Sequence, residues 1–67
     1  MSKFPIRLKE LRQEKGKSVR DFALEFNVTQ RTVQRWETGN HVPDVDIIIS
    51  IAKFFEVTTD YLLGVID

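Results

Sequence analysis

The chain has no cysteine and only one histidine in 67 residues. Disulfides and thiolate metal sites are therefore excluded, and zinc would lack its usual ligands, so the fold must hold by packing alone and neither metal nor cofactor is expected. No apolar run approaches the roughly 20 residues that span a bilayer. The opening Met1-Ser2-Lys3-Phe4-Pro5 lacks the shape of a secretory signal, and a cytoplasmic location with no membrane contact is the expectation. No repeat, low-complexity tract or linker is visible, which leaves one structured domain over residues 1–67. A chain this short buries a marginal core with no room for a substrate cavity. An enzyme with a deep pocket is not expected, nor is a small-molecule ligand. No Ser/His/Asp or paired-carboxylate arrangement stands at compatible spacing, and Asp44 and Asp46 read as a helix cap and a first-turn acid.

Net charge is also lacking: ten basic groups balance ten acids. The balance hides a segregation. Residues 1–35 hold nine basic groups against four acids, a surplus of +5, and the remainder holds one against six, −5. A folded domain of this kind can turn a basic face to phosphates and keep an acidic back, and its field would orient approach as well as hold.

The three glycines and two prolines fall where helices begin and end. A first helix is predicted from about Pro5 to Lys15, with Ile6, Leu8 and Leu11 inward and Gly16 as its stop. Ser18-Val19-Arg20-Asp21 is a capping box that opens the second. Phe22, Ala23 and Phe26 share one face of that helix, and Asn27, a residue tolerant of positive φ, ends it. Val28 plugs the corner. Thr29 then caps a third helix over Gln30–Thr38, ended by Gly39. After the loop Asn40-His41-Val42-Pro43, with Pro43 fixing the entry, Asp44 caps a fourth helix from Val45 to about Phe55. Its near-continuous apolar composition marks it as the central, most buried one. Thr58 caps a short fifth helix that runs through Leu63 and stops at Gly64. The expected fold is all-α, with five helices and no strand.

The third helix carries the functional signal. At about 100° per residue, Gln30, Arg31, Gln34, Arg35 and Thr38 fall in one arc, while Val33 and Trp36 point away, so packing rather than stacking is the expected use of the indole. The outward face is long-armed and free of acid. Glutamine pairs bidentately with adenine and arginine with guanine in the major groove of double-stranded DNA, the contacts that tell base pairs apart. Two arginines and two glutamines alone would equally describe a solvated helix face. Their position, directly behind an N-cap and a three-residue turn, favours the DNA-reading alternative.

Leu8-Lys9-Glu10-Leu11-Arg12, Ser18 with Phe22-Ala23, Val28-Thr29, Trp36-Glu37-Thr38-Gly39, Pro43 and Val57-Thr58-Thr59-Asp60-Tyr61-Leu62-Leu63-Gly64 together resemble the phage repressor and Cro-like (XRE-type) helix-turn-helix domain. The resemblance covers nearly the whole chain. It implies a compact five-helix domain that binds operator DNA as a dimer and regulates transcription, commonly as a repressor. Carried over by position, it makes Gln30, Arg31, Gln34 and Arg35 base-facing and puts Thr29 and Thr38 near phosphate. It also implies a buried pair of Arg12 with Glu37. Physics is consistent with that pair, since an acid at a helix C-terminus is unfavourable unless a cation meets it; a solvated Glu37 is the alternative. Val19 departs from the family pattern where many members carry a DNA-contacting glutamine. Lys17 and the start of the second helix at Ser18 are the substitute phosphate contacts. Asn27 in place of the usual glycine is a milder departure. Asn40 and His41 are candidate backbone contacts, although a loop histidine is equally consistent with simple solvation.

The fourth helix and the residues after it carry more apolar surface than one face can bury: Val45, Ile47, Ile48, Ile49, Ile51, Phe54 and Phe55, then Tyr61, Leu62, Val65 and Ile66. The resemblance implies a homodimer contact in this region, formed either in solution or on DNA alone, with Ile47, Tyr61, Val65 and Ile66 as the candidates; the alternative is that the fourth helix is simply central. The rival to DNA reading is a protein-interaction module on the same fold, such as an antitoxin or a regulatory subunit.

Overall fold

The computed structural model describes residues 2–66 and contains α1 (Phe4–Glu14), α2 (Val19–Glu25), α3 (Gln30–Thr38), α4 (Val45–Phe54) and α5 (Thr59–Leu63), with no strand among the described residues. Four of the five helices begin on a side-chain cap. Ser18, Thr29, Asp44 and Thr58 sit in extended backbone and accept a hydrogen bond from the amide three residues on, which satisfies one of the otherwise orphaned first-turn N–H groups.

α1 starts one residue earlier than predicted, with Lys3 at its N-cap and Pro5 inside the first turn. At about 100° per residue, Ile6 stands roughly 200° from Leu8 around the helix, whereas Phe4 shares the face of Leu8. Phe4, Arg7, Leu8 and Arg12 are buried and Ile6 is 65% exposed, so the expectation that Ile6 packs inward is corrected: Phe4, four residues before Leu8, takes the place assigned to it.

The core is built from Phe4, Leu8, Phe22, Ala23, Val33, Trp36, Ile51, Ala52 and Leu62, drawn from all five helices. Complete burial of a Phe, Leu, Ile or Val side chain contributes about 1.5–3 kcal/mol, and this small set supplies most of what holds the chain. Trp36 is the largest member and is 1% exposed. Its Nε1 has no acceptor among the described residues, so the indole fills volume and forms no polar link.

α4 is less buried than its composition implies. Only Ile51 and Ala52 are buried along it, Ile47 and Ile48 are half-buried, and Val45 and Ile49 are exposed. The expectation of a central fourth helix is overturned: α3 contributes Val33 and Trp36 and packs against both α1 and α2, while α4 packs on α5 and, through Phe54 at its C-terminal end, on Phe22 and Phe26 of α2, and leaves Val45 and Ile49 in solvent. Composition reports how apolar a helix is and leaves open how many neighbours it has.

The expectation of no repeat also needs correction. The α2–turn–α3 corner recurs as α4–turn–α5, 29 positions on. Phe22 and Ile51 are both fully buried, as are Val33 and Leu62, and Ala23 and Ala52 are equally inaccessible. Asn27 and Glu56 both take positive φ, 55° and 57°. Val28 N–H donates to Ala23 O and Val57 N–H to Ala52 O, each at 3.0 Å. Thr29 and Thr58 then cap the second helix of each corner with nearly the same φ and ψ. Ala, Phe, Val and Thr match by identity, four of the seven positions in 23–29 and 52–58, and in the helices on either side the similarity lies in geometry and burial.

Candidate nucleic-acid interface

α3 is held from three directions. Val33 and Trp36 anchor its inner side in the core. At its start the Thr29 hydroxyl accepts from Thr32 N–H at 3.1 Å and shares a further hydrogen bond with the Thr32 hydroxyl at 2.9 Å. At its end Gly39 adopts φ 83°, a conformation that side chains resist, and the Arg35 carbonyl collects Asn40 N–H at 3.0 Å, His41 N–H at 3.2 Å and the Thr38 hydroxyl at 3.3 Å. The loop is thereby wound back onto the helix.

Against that anchored side, Gln30, Arg31, Gln34, Arg35 and Thr38 are all exposed. The helix has no acid in its first turn, and Arg35 lies in its last turn, favourable against the dipole. Asn40 and His41 follow immediately and are exposed as well. The backbone N–H groups of these two are committed to Arg35, whereas their side chains face solvent.

One guanidinium links α3 to the start of α2. Arg12 Nε donates to Glu37 Oε2 at 2.7 Å, Nη2 donates to Glu37 Oε1 at 3.2 Å, and Nη1 donates to the Lys17 carbonyl at 2.7 Å. Both side chains of the ion pair are more than nine-tenths buried. The same residue therefore pins the C-terminal end of α3 and the backbone just before Ser18. Ser18 Oγ accepts from Asp21 N–H at 3.0 Å, which leaves its own O–H directed elsewhere.

Arg7 is a second buried cation, one that the sequence reading passed over. Its Nη1 donates to the Tyr61 carbonyl and to the Ile66 carbonyl, the latter at 2.8 Å, and its Cζ lies 4.2 Å from the centroid of the Tyr61 ring. The signal was available: Arg7 falls three residues after Phe4 and four before Leu11, on the apolar face of α1. A charged residue on such a face asks for a partner, and here the partners are carbonyls at the C-terminal end of α5 and beyond. Lys3 N–H donates to Leu63 O at 3.0 Å beside them. Of the four residues assigned to self-association, Ile47 packs against the core, Tyr61 is half-buried beneath Arg7, and Val65 and Ile66 are exposed.

No group of three or more His, Asp or Glu side chains is arranged to hold a metal among the described residues, and no helix among them is long and apolar enough to cross a membrane.

Two relatives share this sequence pattern over most of the chain. The HTH-type transcriptional regulator ImmR of Bacillus subtilis is 34% identical over 58 residues, 87% of this chain and 46% of its own length. The HTH-type transcriptional activator BcrR of Enterococcus faecalis is 33% identical over 61 residues, 91% of this chain and 30% of its own. The chain thus spans less than half the length of either. The model of the helix-turn-helix family matches residues 8–62, a range that takes in Arg12, the Asn27 turn, the whole of α3 and the second corner through Leu62. With its anchored α3, its two capped corners and this match, the chain belongs to the helix-turn-helix family.

Proposed function

We propose that this domain is a sequence-specific DNA-binding transcription regulator, a cytoplasmic repressor that lays α3 in the major groove of a near-palindromic operator. The observation that carries the reading is the outward face of α3: Gln30, Arg31, Gln34 and Arg35 stand exposed on a helix whose opposite side is fully buried. These are the side chains that recognise adenine and guanine edges bidentately. Lys17, Ser18, Thr29, Thr38, Asn40 and His41 flank that face and serve as backbone contacts; they position the helix and carry no sequence information. Where Thr32 donates in the hydroxyl pair, the Thr29 O–H is available to a phosphate oxygen.

Self-association belongs to the same reading. α5 occupies in its corner the place that α3 has in the first, yet Asp60 stands where α3 has Arg31, and Leu63 where it has Gln34. Such a helix suits protein contact and repels phosphate. With Ile47 and Tyr61 half-buried and Val65 and Ile66 exposed beside it, two copies can meet there and set their α3 helices about one turn of DNA apart, roughly 34 Å. The names of the relatives concern transcription and include an activator; the repressor direction rests on the resemblance to phage repressors.

Selection of bound sites from random DNA tests the proposal. Two half-sites related by a dyad and one helical turn apart are expected, and failure to enrich any sequence would overturn it. The exposed Val45, Ile49, Val65 and Ile66 favour the rival reading, a protein-docking module. Binding to random DNA distinguishes the two, since a phosphate binder weakens steeply with salt and a protein docker does not.

A further inference from the structure

Two ammonium groups converge on one aromatic ring. Lys15 Nζ lies 5.0 Å and Lys17 Nζ 5.9 Å from the centroid of Phe54, both within the range at which a ring quadrupole attracts a cation. Neither ammonium takes part in an ion pair among the described residues. The ring attracts both ammonium groups and offsets part of their mutual repulsion.

Phe54 is itself held firmly. It meets Phe26 at 5.5 Å, Phe55 at 5.0 Å and Phe22 at 6.1 Å, each with ring planes 72–78° apart, the edge-to-face arrangement that aromatic pairs prefer. Phe22 is fully buried, so the cluster is rooted in the core. On the other side, the backbone of Lys17 is fixed by Arg12 through its carbonyl at 2.7 Å. Ring and backbone thus restrict a side chain that is ordinarily mobile. An ammonium has three N–H donors, and lying over a ring face leaves donors directed outward.

The geometry points to Phe54 as a positioning residue that seats Lys15 and Lys17 as a paired grip for a phosphodiester of bound DNA, with Lys15 a contact additional to Lys17. The inference rests on the DNA-binding reading above. It adds to it a platform on α4, in the aromatic cluster of Phe22, Phe26, Phe54 and Phe55, that preorganises the backbone contact beside the start of α2.

The test is the affinity of the full chain for a random-sequence duplex across a salt series, with thermal melts run on every variant. Replacing both lysines (K15A/K17A) is expected to lower the slope of log K against log salt by about 0.9, the contribution of the one phosphate they grip together. F54L keeps an apolar side chain without the quadrupole and is expected to weaken the parent about fivefold, to have no effect in the K15A/K17A background, and to be rescued in F54Y. Equal losses from F54L in both backgrounds, or equal losses from F54L and F54Y, would mean that Phe54 acts through packing alone and would overturn the seat. Should F54L fail to fold, the K15A/K17A slope and F54Y still decide: an unchanged slope removes the grip, and an F54Y variant that is stable but weakened removes the platform. A parent chain whose binding is insensitive to salt would instead overturn the DNA-binding reading itself.

Discussion

Arg12 and Glu37, 25 positions apart, meet as a two-pronged ion pair with both side chains more than nine-tenths withdrawn from solvent. A third bond runs from the same guanidinium to the Lys17 carbonyl. One side chain therefore fixes α1, the end of α3 and the approach to α2 relative to one another. Removing one partner of such a pair leaves a buried charge uncompensated, at a cost of about 3–5 kcal/mol, a large fraction of the 5–15 kcal/mol that holds a typical domain.

Arg12→Ala should accordingly lower the melting temperature sharply, and Arg12→Met with Glu37→Met should recover much of the loss because no orphaned charge remains. Thermal denaturation followed by circular dichroism checks both. An Arg12→Ala protein that melts like the parent would remove the structural role assigned to the pair.

Gly64 and Gly16 both adopt positive φ, 86° and 72°, but only one is crowded. A Cβ on Gly64 would stand 2.8 Å from both Cβ and Cγ of Lys3 and 3.1 Å from its backbone nitrogen, whereas one on Gly16 meets nothing within 4 Å. Gly16→Ala should cost the left-handed penalty of about 1–2 kcal/mol. Gly64→Ala should cost more, since the Lys3 backbone must also move. Urea denaturation of the two variants makes the comparison, and equal losses would mean that the Lys3 contact yields freely.

Asn27 and Glu56 close the two corners at almost the same positive φ, yet they differ in how well they tolerate it. Asparagine visits this region readily and glutamate does not. Glu56→Gly is therefore expected to stabilise the domain by up to about 1 kcal/mol, and Asn27→Gly by less. Denaturation midpoints would settle the order; a destabilised Glu56→Gly would indicate an interaction of that carboxylate that outweighs its backbone strain.

Base reading and phosphate contact leave different signatures. Arg31→Ala or Gln30→Ala should cost about 1–3 kcal/mol on the preferred site and relax specificity at one base position. Lys17→Ala should weaken every sequence alike. Gel shifts over a randomised set of sites separate the two patterns, and uniform losses for all three variants would count against α3 as the reader.

Helix ends were the most legible part of the sequence because caps are local. Ser18, Thr29, Asp44 and Thr58 each act on an amide three residues away, so no tertiary knowledge was needed to find them. The exposure of Gln30, Arg31, Gln34 and Arg35 was legible for a related reason: once Val33 and Trp36 are inward, helical periodicity determines the opposite arc. Phase at a helix start was harder. Pro5 suggested a first turn beginning there, one residue late, and Ile6 was expected inward although it stands about 200° from Leu8, while Phe4 shares the face of Leu8 and is buried. The exposure of α4 was illegible because partner number is a tertiary quantity. The second corner was legible in the Ala-x-x-Phe-x-Val-Thr shared by residues 23–29 and 52–58, although Asn27 and Glu56 share a backbone conformation there without sharing chemistry. Lys15 and Phe54 are brought together only by the fold, and no spacing rule connects them.

The chain has one tryptophan, and it sits on the inner side of α3 with its ring nitrogen hydrogen-bonded to nothing among the described residues. An indole in so dry a setting emits at short wavelength and is shielded from aqueous quenchers. The molecule therefore carries its own optical gauge: a red shift marks loss of the core around α3, whereas a ligand engaging the outer arc of that helix leaves the colour of the emission unchanged.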